Sequence, residues 1–329
     1  MQPDLAPLIK VLSVDGGGIK GIIPATVLAY IEERTGRPIS ALFDLIAGTS
    51  TGGIIALGLA KPGSDGTPAY TAEDGVALYV REGPRIFSRP WWRRLPGWNL
   101  IEERYPSGPI DEVLARYFGG SRLKEALTEV IITAYDIEGR APFFFKSRHA
   151  KDPSRPANDF FMRDAARATA AAPTYFEPAK ITTPGDPPYV ALIDGGVYAI
   201  NPAMCAYAEV RAVYPADAQV LLVSLGTGEN TDPLPYNEVK GWGEASWARP
   251  ILDVVFDGNS DTVDFQLRQL LPANEGLARY YRFQTKLVGA SDAMDDVRPE
   301  NLRGLQGLGA RLVADNKAAL DEICRQLVA

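Results

Sequence analysis

An α/β fold with parallel strands is predicted by three features of this sequence. Apolar strand-like runs at 8–14 (LIKVLSV) and 42–47 each lead into a glycine-containing turn, and each turn leads into a helix-patterned segment. The later runs 128–135 (TEVIITAY) and 219–224 (QVLLVS) read as further buried strands. Strand, glycine turn and helix in alternation is the rhythm of a parallel sheet, because parallel strands need long crossovers.

Taken in order, LIKVLSV is a short buried strand and DGGGIKG is the turn after it. The next segment, IIPATVLAYIEERTG, has helical apolar spacing at Ile23, Val27, Leu28 and Ile31, and Gly36 ends it. A strand over 42–47 and a helix from 52 to 60 follow. Residues 61–68 (KPGSDGTP) form a loop, 71–83 read as helical, and 84–109 read as irregular. Strands are predicted at 128–135, 142–146, 189–193 and 219–224, with an alanine-rich helix at 157–172. A polar loop covers 229–248. Helices near 250–270 and 301–327 flank a last strand at 280–287. No repeat or linker interrupts the chain, so one domain over 1–329 is expected.

The 329 residues suffice for a full hydrophobic core, and the net charge of −7 argues against a general nucleic-acid binder. Cys205 and Cys324 form neither a disulfide framework nor a zinc-type cluster, which fits a reducing, cytoplasmic location. The N-terminus lacks the basic and apolar regions of a signal peptide. The most apolar window, 41–60, is long enough to suggest a membrane span. Asp44 and a Gly/Ser/Thr cluster break it, so strand, turn and helix are expected instead and no transmembrane segment is predicted.

Three motifs carry chemistry. Gly48–Gly52 (GTSTG) has the G-x-S-x-G spacing that sets a serine, here Ser50, on a sharp strand-to-helix turn. Gly48 and Gly52 are needed because side chains there would meet the neighbouring strand and helix. The competing reading is that Ser50 or Thr49 merely caps the helix. Asp15–Gly21 (DGGGIKG) points several backbone N–H groups at one place, an anion hole for a phosphate or for an acyl-transfer oxyanion. No Gly-Lys-Ser/Thr of a Walker loop occurs. A dinucleotide G-x-G-x-x-G can be laid on Gly16, Gly18 and Gly21, and Lys20 could add positive charge or simply be solvated.

A nucleophilic serine needs a base, and His149 is the one histidine. It lies in FFFKSRHAKDP at the polar end of a strand, and no known triad order puts a lone histidine there after so early a serine. It reads as a surface residue. The third motif, YVALIDGGVYAINP (189–202), ends an apolar strand in Asp194-Gly195-Gly196. A carboxylate set partly in an apolar site has a raised pKa and can take a serine proton directly. A turn-capping aspartate is the other reading.

Together VLSVDGGGIKGIIPATVL (11–28), FDLIAGTSTGG (43–53) and LIDGGVYAINP (192–202) resemble, in the same order, the patatin-like phospholipase family of lipid acyl hydrolases. MRDAARATAAAPTYFEP (162–178) and VLLVSLGTGE (220–229) resemble further segments of it. The likeness covers roughly 9–230, and the portion 230–329 is less family-specific. It implies a three-layer α/β/α sandwich around a central, mostly parallel sheet. It also implies a catalytic dyad of Ser50 and Asp194 without histidine, and an oxyanion hole at Gly16, Gly17 and Gly18. No cofactor or metal is implied, so calcium-independent catalysis is expected. The implied activity is phospholipase A-type cleavage of lipid acyl esters at a membrane or micelle surface. An acyltransferase on the same dyad, a phosphate-binding module, and a storage or defence protein with secondary or ligand-regulated esterase activity are the alternatives.

Trp91, Trp92 and Trp98 lie among Arg85, Arg89, Arg93, Arg94 and Arg104, a composition suited to a membrane interface or lid. A loop packing its own aromatics would look the same. Ala172, Pro173, Tyr175 and Phe176 are candidate walls of an acyl pocket, or ordinary core.

Overall fold

Strands of the chain assemble into one eight-stranded sheet with order β5-β6-β3-β2-β1-β7-β8, with β4 also paired to β3. In the computed structural model the described residues are 7–88, 103–183, 187–230, 232–247, 250–273 and 279–329. The elements are β1 (Leu8–Val14), α1 (Ile22–Thr35), α2 (Ile39–Leu42), β2 (Leu45–Gly48), α3 (Thr51–Ala60), α4 (Ala72–Ile86), α5 (Gly108–Phe118), β3 (Glu129–Asp136), β4 (Ala141–Lys146), α6 (Ser147–Lys151) and α7 (Met162–Thr169). They continue with β5 (Ala179–Thr182), β6 (Tyr189–Asp194), α8 (Gly196–Ala199), α9 (Ala203–Val213), β7 (Gln219–Leu225), α10 (Tyr236–Val239), α11 (Glu244–Trp247), α12 (Pro250–Leu270), β8 (Tyr280–Phe283), α13 (Pro299–Asp315) and α14 (Lys317–Val328).

The five strands β3, β2, β1, β7 and β8 run parallel, whereas β4, β5 and β6 are antiparallel to their neighbours. Side chains of a strand alternate between faces, and the two faces are buried in two separate cores. Leu12 and Val14 of β1 join the core with α1, α3, α13 and α14, while Ile9 and Val11 join the core with α9 and α12. The three-layer α/β/α arrangement follows from that alternation, since a strand apolar on both faces must be covered on both.

Local chemistry sets several boundaries. Gly36 ends α1 with φ 65°, and its N–H donates to the Glu32 carbonyl. Thr71 and Asp74 form a capping box at the start of α4. The strand expected over 42–47 begins later, at Leu45, because Ile39–Leu42 forms a helical turn. Asp44 then accepts a hydrogen bond from the Lys10 amide at 2.7 Å. The window 41–60 is a strand, a turn and a helix, and among the described residues no helix is long and apolar enough to cross a membrane.

Other expectations need correction. The helix predicted over 157–172 is confined to Met162–Thr169, and 301–327 is two helices that meet at Asn316. The stretch 84–109 is helical at both described ends, and the loop 229–248 contains α10 and α11. The last strand stops at Phe283. The tryptophan–arginine run including Trp91, Trp92 and Trp98, with Arg89, Arg93 and Arg94, lies outside the described residues. Trp242 and Trp247 contact each other edge to face, with centroids 5.4 Å apart.

Candidate active site

Sheet pairing brings the motifs together. β3 gives one edge to β4 through Ile131–Asp136, so its other edge is shared. β2 occupies that edge up to Gly48↔Ile132, and β6 takes it from Ala134↔Asp194 onward. Ser50, two residues past the end of β2, therefore emerges beside Asp194, the last residue of β6.

Ser50 sits at φ 53°, in the left-handed region that a non-glycine residue enters at a cost. The surroundings hold it there. Its N–H donates to Thr169 Oγ1 at 2.8 Å, and its carbonyl accepts the Ile54 N–H at 3.1 Å as α3 begins. Glycine is required on either side. A Cβ on Gly48 would lie 2.3 Å from the Gly52 carbonyl oxygen, and one on Gly52 would lie 2.1 Å from that of Val14. Buried Thr49 locks the turn, with its Oγ1 2.7 Å from Thr133 Oγ1 and donating to the Ala199 carbonyl at 2.6 Å.

Asp194 is only 4% exposed. Its N–H donates to the Ala171 carbonyl at 3.0 Å, and its Oδ1 accepts the Gly196 N–H at 2.7 Å. Burial pushes its pKa up to about 7, against hydrogen bonds from the Ser50 hydroxyl and the Gly196 N–H. Among the described residues no basic side chain contributes to that balance. Ser50 and Asp194 line one chamber with Gly17, Pro173, Phe256 and Met294.

The glycine turn after β1 is pinned by backbone bonds. Asp15 N–H donates to the Leu225 carbonyl, Gly16 N–H to the Ile200 carbonyl at 2.9 Å, and Ile19 N–H to the Met294 carbonyl. Thr227 Oγ1 donates to the Gly16 carbonyl at 2.7 Å. The amide of Gly16 is thus occupied, while among the described residues the Gly17 and Gly18 N–H groups donate to no protein acceptor. Asp15 is buried and ion-paired with Arg282 at 2.6 Å; Arg282 also donates to Ser224 and Ser260. Burial raises the Asp15 pKa and the guanidinium opposes it.

A second, apolar chamber opens from Ser50, lined by Gly18, Ile54, Leu78, Phe87, Ala172 and Phe176 among others. Of the four candidate pocket walls, Ala172, Tyr175 and Phe176 line it, and Pro173 borders the chamber shared with Asp194. His149 lies half-buried in α6 and lines neither chamber; burial, Lys146 and Arg155 lower its pKa. Cys205 and Cys324 are free thiols. Among the described residues no cluster of histidine, cysteine or acidic side chains could hold a metal ion.

Several residues around the site carry no sequence motif of their own. Thr169 and Thr227 fall inside segments already noted for their family likeness. Met294 and Arg282 come from the last third of the chain, where nothing in the local pattern marks them.

Fold and site together define an α/β protein with a serine at a strained strand-to-helix turn, faced by a buried carboxylic acid. The family model described as patatin-like phospholipase matches residues 12–207, and the chain belongs to that family. It is 33% identical to the potato (Solanum tuberosum) protein named probable inactive patatin-3-Kuras 1, over 94% of this chain and 87% of that one. It is 32% identical to patatin-like protein 2 of Arabidopsis thaliana, over 98% and 88%. Among solved structures, VipD from Legionella pneumophila aligns with a TM-score of 0.38 at 10% identity, over 94% of this chain and 67% of that one.

Proposed function

We propose that this protein is a lipid acyl hydrolase of phospholipase A type in which Ser50 is the nucleophile and Asp194 the general base. The observation that carries this reading is the pairing itself: a buried carboxyl with a pKa of about 7, no cation among the described residues beside it, and a serine hydroxyl held at φ 53° in front of it. An ordinary surface aspartate is too weak a base to take a serine proton at neutral pH, and burial corrects that.

Ser50 Oγ attacks the acyl carbonyl carbon while its proton passes to the Asp194 carboxylate. The negative charge that develops on the carbonyl oxygen is met by the Gly17 and Gly18 N–H groups; Gly16, its own amide tied to Ile200, holds the loop in place. As the intermediate collapses, the C–O bond to the lipid alcohol breaks and the Asp194 proton goes to the leaving oxygen. Water then gives a proton to Asp194 and its oxygen attacks the acyl-Ser50 ester. Collapse of that second intermediate releases the fatty acid and returns the proton to Ser50 Oγ. The apolar chamber beside Ser50 suits the acyl chain.

One relative bears a name that marks it as inactive, so the test has to be catalytic. Wild type, Ser50→Ala and Asp194→Ala are treated with a fluorophosphonate and weighed intact, alongside fatty-acid release from phospholipid vesicles. One adduct and fatty-acid release in wild type, both absent in the two variants, is the expected result. Labelling and hydrolysis that persist in Ser50→Ala would overturn the reading. Products in which the acyl group moves to an added alcohol instead of water would make the protein an acyltransferase.

A further inference from the structure

A third cavity, of about 210 Å³, lies on the other side of the glycine turn and shares Gly17, Ile200, Phe256 and Met294 with the chamber of Ser50 and Asp194. Unlike the apolar chamber it is polar, and its charge is one-sided. Helix α12 supplies Asp253, Asp257 and Asp261, spaced four apart and therefore on one face. Glu229 and Asp292 add two more carboxylates, and among the described lining residues one amine stands against them, that of Lys20, which donates to the Asp292 carbonyl at 3.2 Å.

Two features mark this wall as built for a positive partner. Like charges four residues apart destabilise a helix, and here three stand in a row. Burial raises the Asp257 pKa, Lys20 lowers it, and Asp253, Asp261 and Glu229 raise it again, so the Asp257 carboxylate feels the negative charge around it. Independently, Asp15 lines the same cavity at 3% exposure, with Oδ2 on Arg282 and Oδ1 accepting no hydrogen bond. A buried carboxylate oxygen without a donor lacks what an ammonium group supplies. The described residues offer no three-ligand cluster for a metal ion, and the volume suits an organic cation better than a bare one.

We propose that this cavity is the headgroup subsite and that it selects phospholipids whose headgroup ends in an ammonium group, such as ethanolamine or choline, over anionic ones. The proposal rests on the hydrolase reading. With an ester carbonyl at Ser50 and the acyl chain in the apolar chamber, the polar end of the lipid has this cavity beside it. Leu252 of α12 lines the Ser50 chamber, Phe256 stands between the two cavities, and Asp253, Asp257 and Asp261 line the headgroup side. One helix then sorts the two ends of the substrate.

The experiment compares phosphatidylethanolamine with phosphatidylglycerol of the same acyl chains. Both are diluted to low mole fraction in non-ionic micelles, so that surface charge does not choose between them. A p-nitrophenyl acyl ester, which has no headgroup, is run in parallel. Wild type should prefer the ethanolamine lipid in kcat/KM by about fivefold, the scale of one partly exposed charge contact. Asp257→Asn should narrow that ratio and Asp257→Lys should reverse it. Equal use of both lipids by wild type, or a ratio unchanged in Asp257→Lys with a wild-type circular dichroism spectrum, would overturn the proposal while leaving the hydrolase reading intact. If wild type cleaves not even the p-nitrophenyl ester, the hydrolase reading fails. The subsite is then decided by calorimetry with glycerophosphoethanolamine: binding to wild type and not to Asp257→Lys supports it, and no binding ends it.

Discussion

Two aspartates in this protein share a local sequence and have opposite fates. Asp15 directly follows β1 and Asp194 is the last residue of β6; each is followed by two glycines, and each is nearly fully buried. Asp15 meets the Arg282 guanidinium at 2.6 Å and ties the ends of β1 and β7 to α12 through Ser224 and Ser260. Asp194 meets no cation among the described residues, only a serine hydroxyl and one backbone N–H. Burial raises the proton affinity of both, and a cation opposes it in one. What a buried carboxylate can do is thus decided by its partner: beside a permanent charge it is held as a clamp, and without one it is left with the proton affinity that the proposed base needs.

The sharpest way to break the comparison is to take away the titrating group alone. Asp194→Asn keeps the shape and an oxygen for the Gly196 N–H but cannot accept the Ser50 proton. Hydrolysis should fall by about 10³-fold or more, measured as kcat/KM for fatty-acid release. Asp15 should respond to loss of its partner and not to loss of chemistry. Arg282→Met leaves its charge buried and unpaired, at a cost of about 3–5 kcal/mol in urea unfolding. Adding Asp15→Asn to that variant should recover much of the loss, which a role in proton transfer would not predict.

Acidity sharpens the comparison further. As the proposed base Asp194 has to be ionised, so kcat/KM should decline about tenfold per pH unit below an apparent pKa of about 7 and level off above it. The same shift has a cost for folding. The native state holds this proton more tightly than the unfolded chain, so charging Asp194 reduces stability as pH rises from the ordinary carboxylate range, and the full cost is present above about pH 7. Asp194→Asn should accordingly melt several degrees higher than wild type at pH 8 and close to wild type at pH 4. The smallest effect is expected at the one histidine. His149→Ala should change kcat/KM by less than about twofold, since His149 lines neither chamber around Ser50.

Much of this arrangement is legible in the amino-acid sequence, and the limits have physical causes. β1 and the helix over 250–270 match their expected bounds, because apolar runs closed by glycine, proline or polar residues are local signals. The serine turn is legible because the fold leaves no room for side chains at Gly48 and Gly52. What escapes is non-local. Arg282 finds Asp15 from the far end of the chain, and no spacing announces it. β5 is four residues long with alternating exposure, and α9 carries too few large apolar residues to stand out from a loop. The two D-G-G sequences look alike, and family likeness rather than local pattern tells the expected base from the expected loop. Gly16 is expected among the oxyanion donors; that its N–H is spent on Ile200 depends on a contact spanning more than half of the chain.

The shared edge of β3 has a consequence for how this protein could be altered. Ser50 and Asp194 are both measured off against one strand, the first through Gly48↔Ile132 and the second through Ala134↔Asp194. Their separation is therefore independent of the length of chain between them. Apart from the segment after α7, whose Ala171 carbonyl accepts the Asp194 N–H, loops between α3 and β6 could be lengthened, shortened or exchanged for inserted modules without moving the pair. Deletion of one residue inside β6 would turn Asp194 to the opposite face of the sheet.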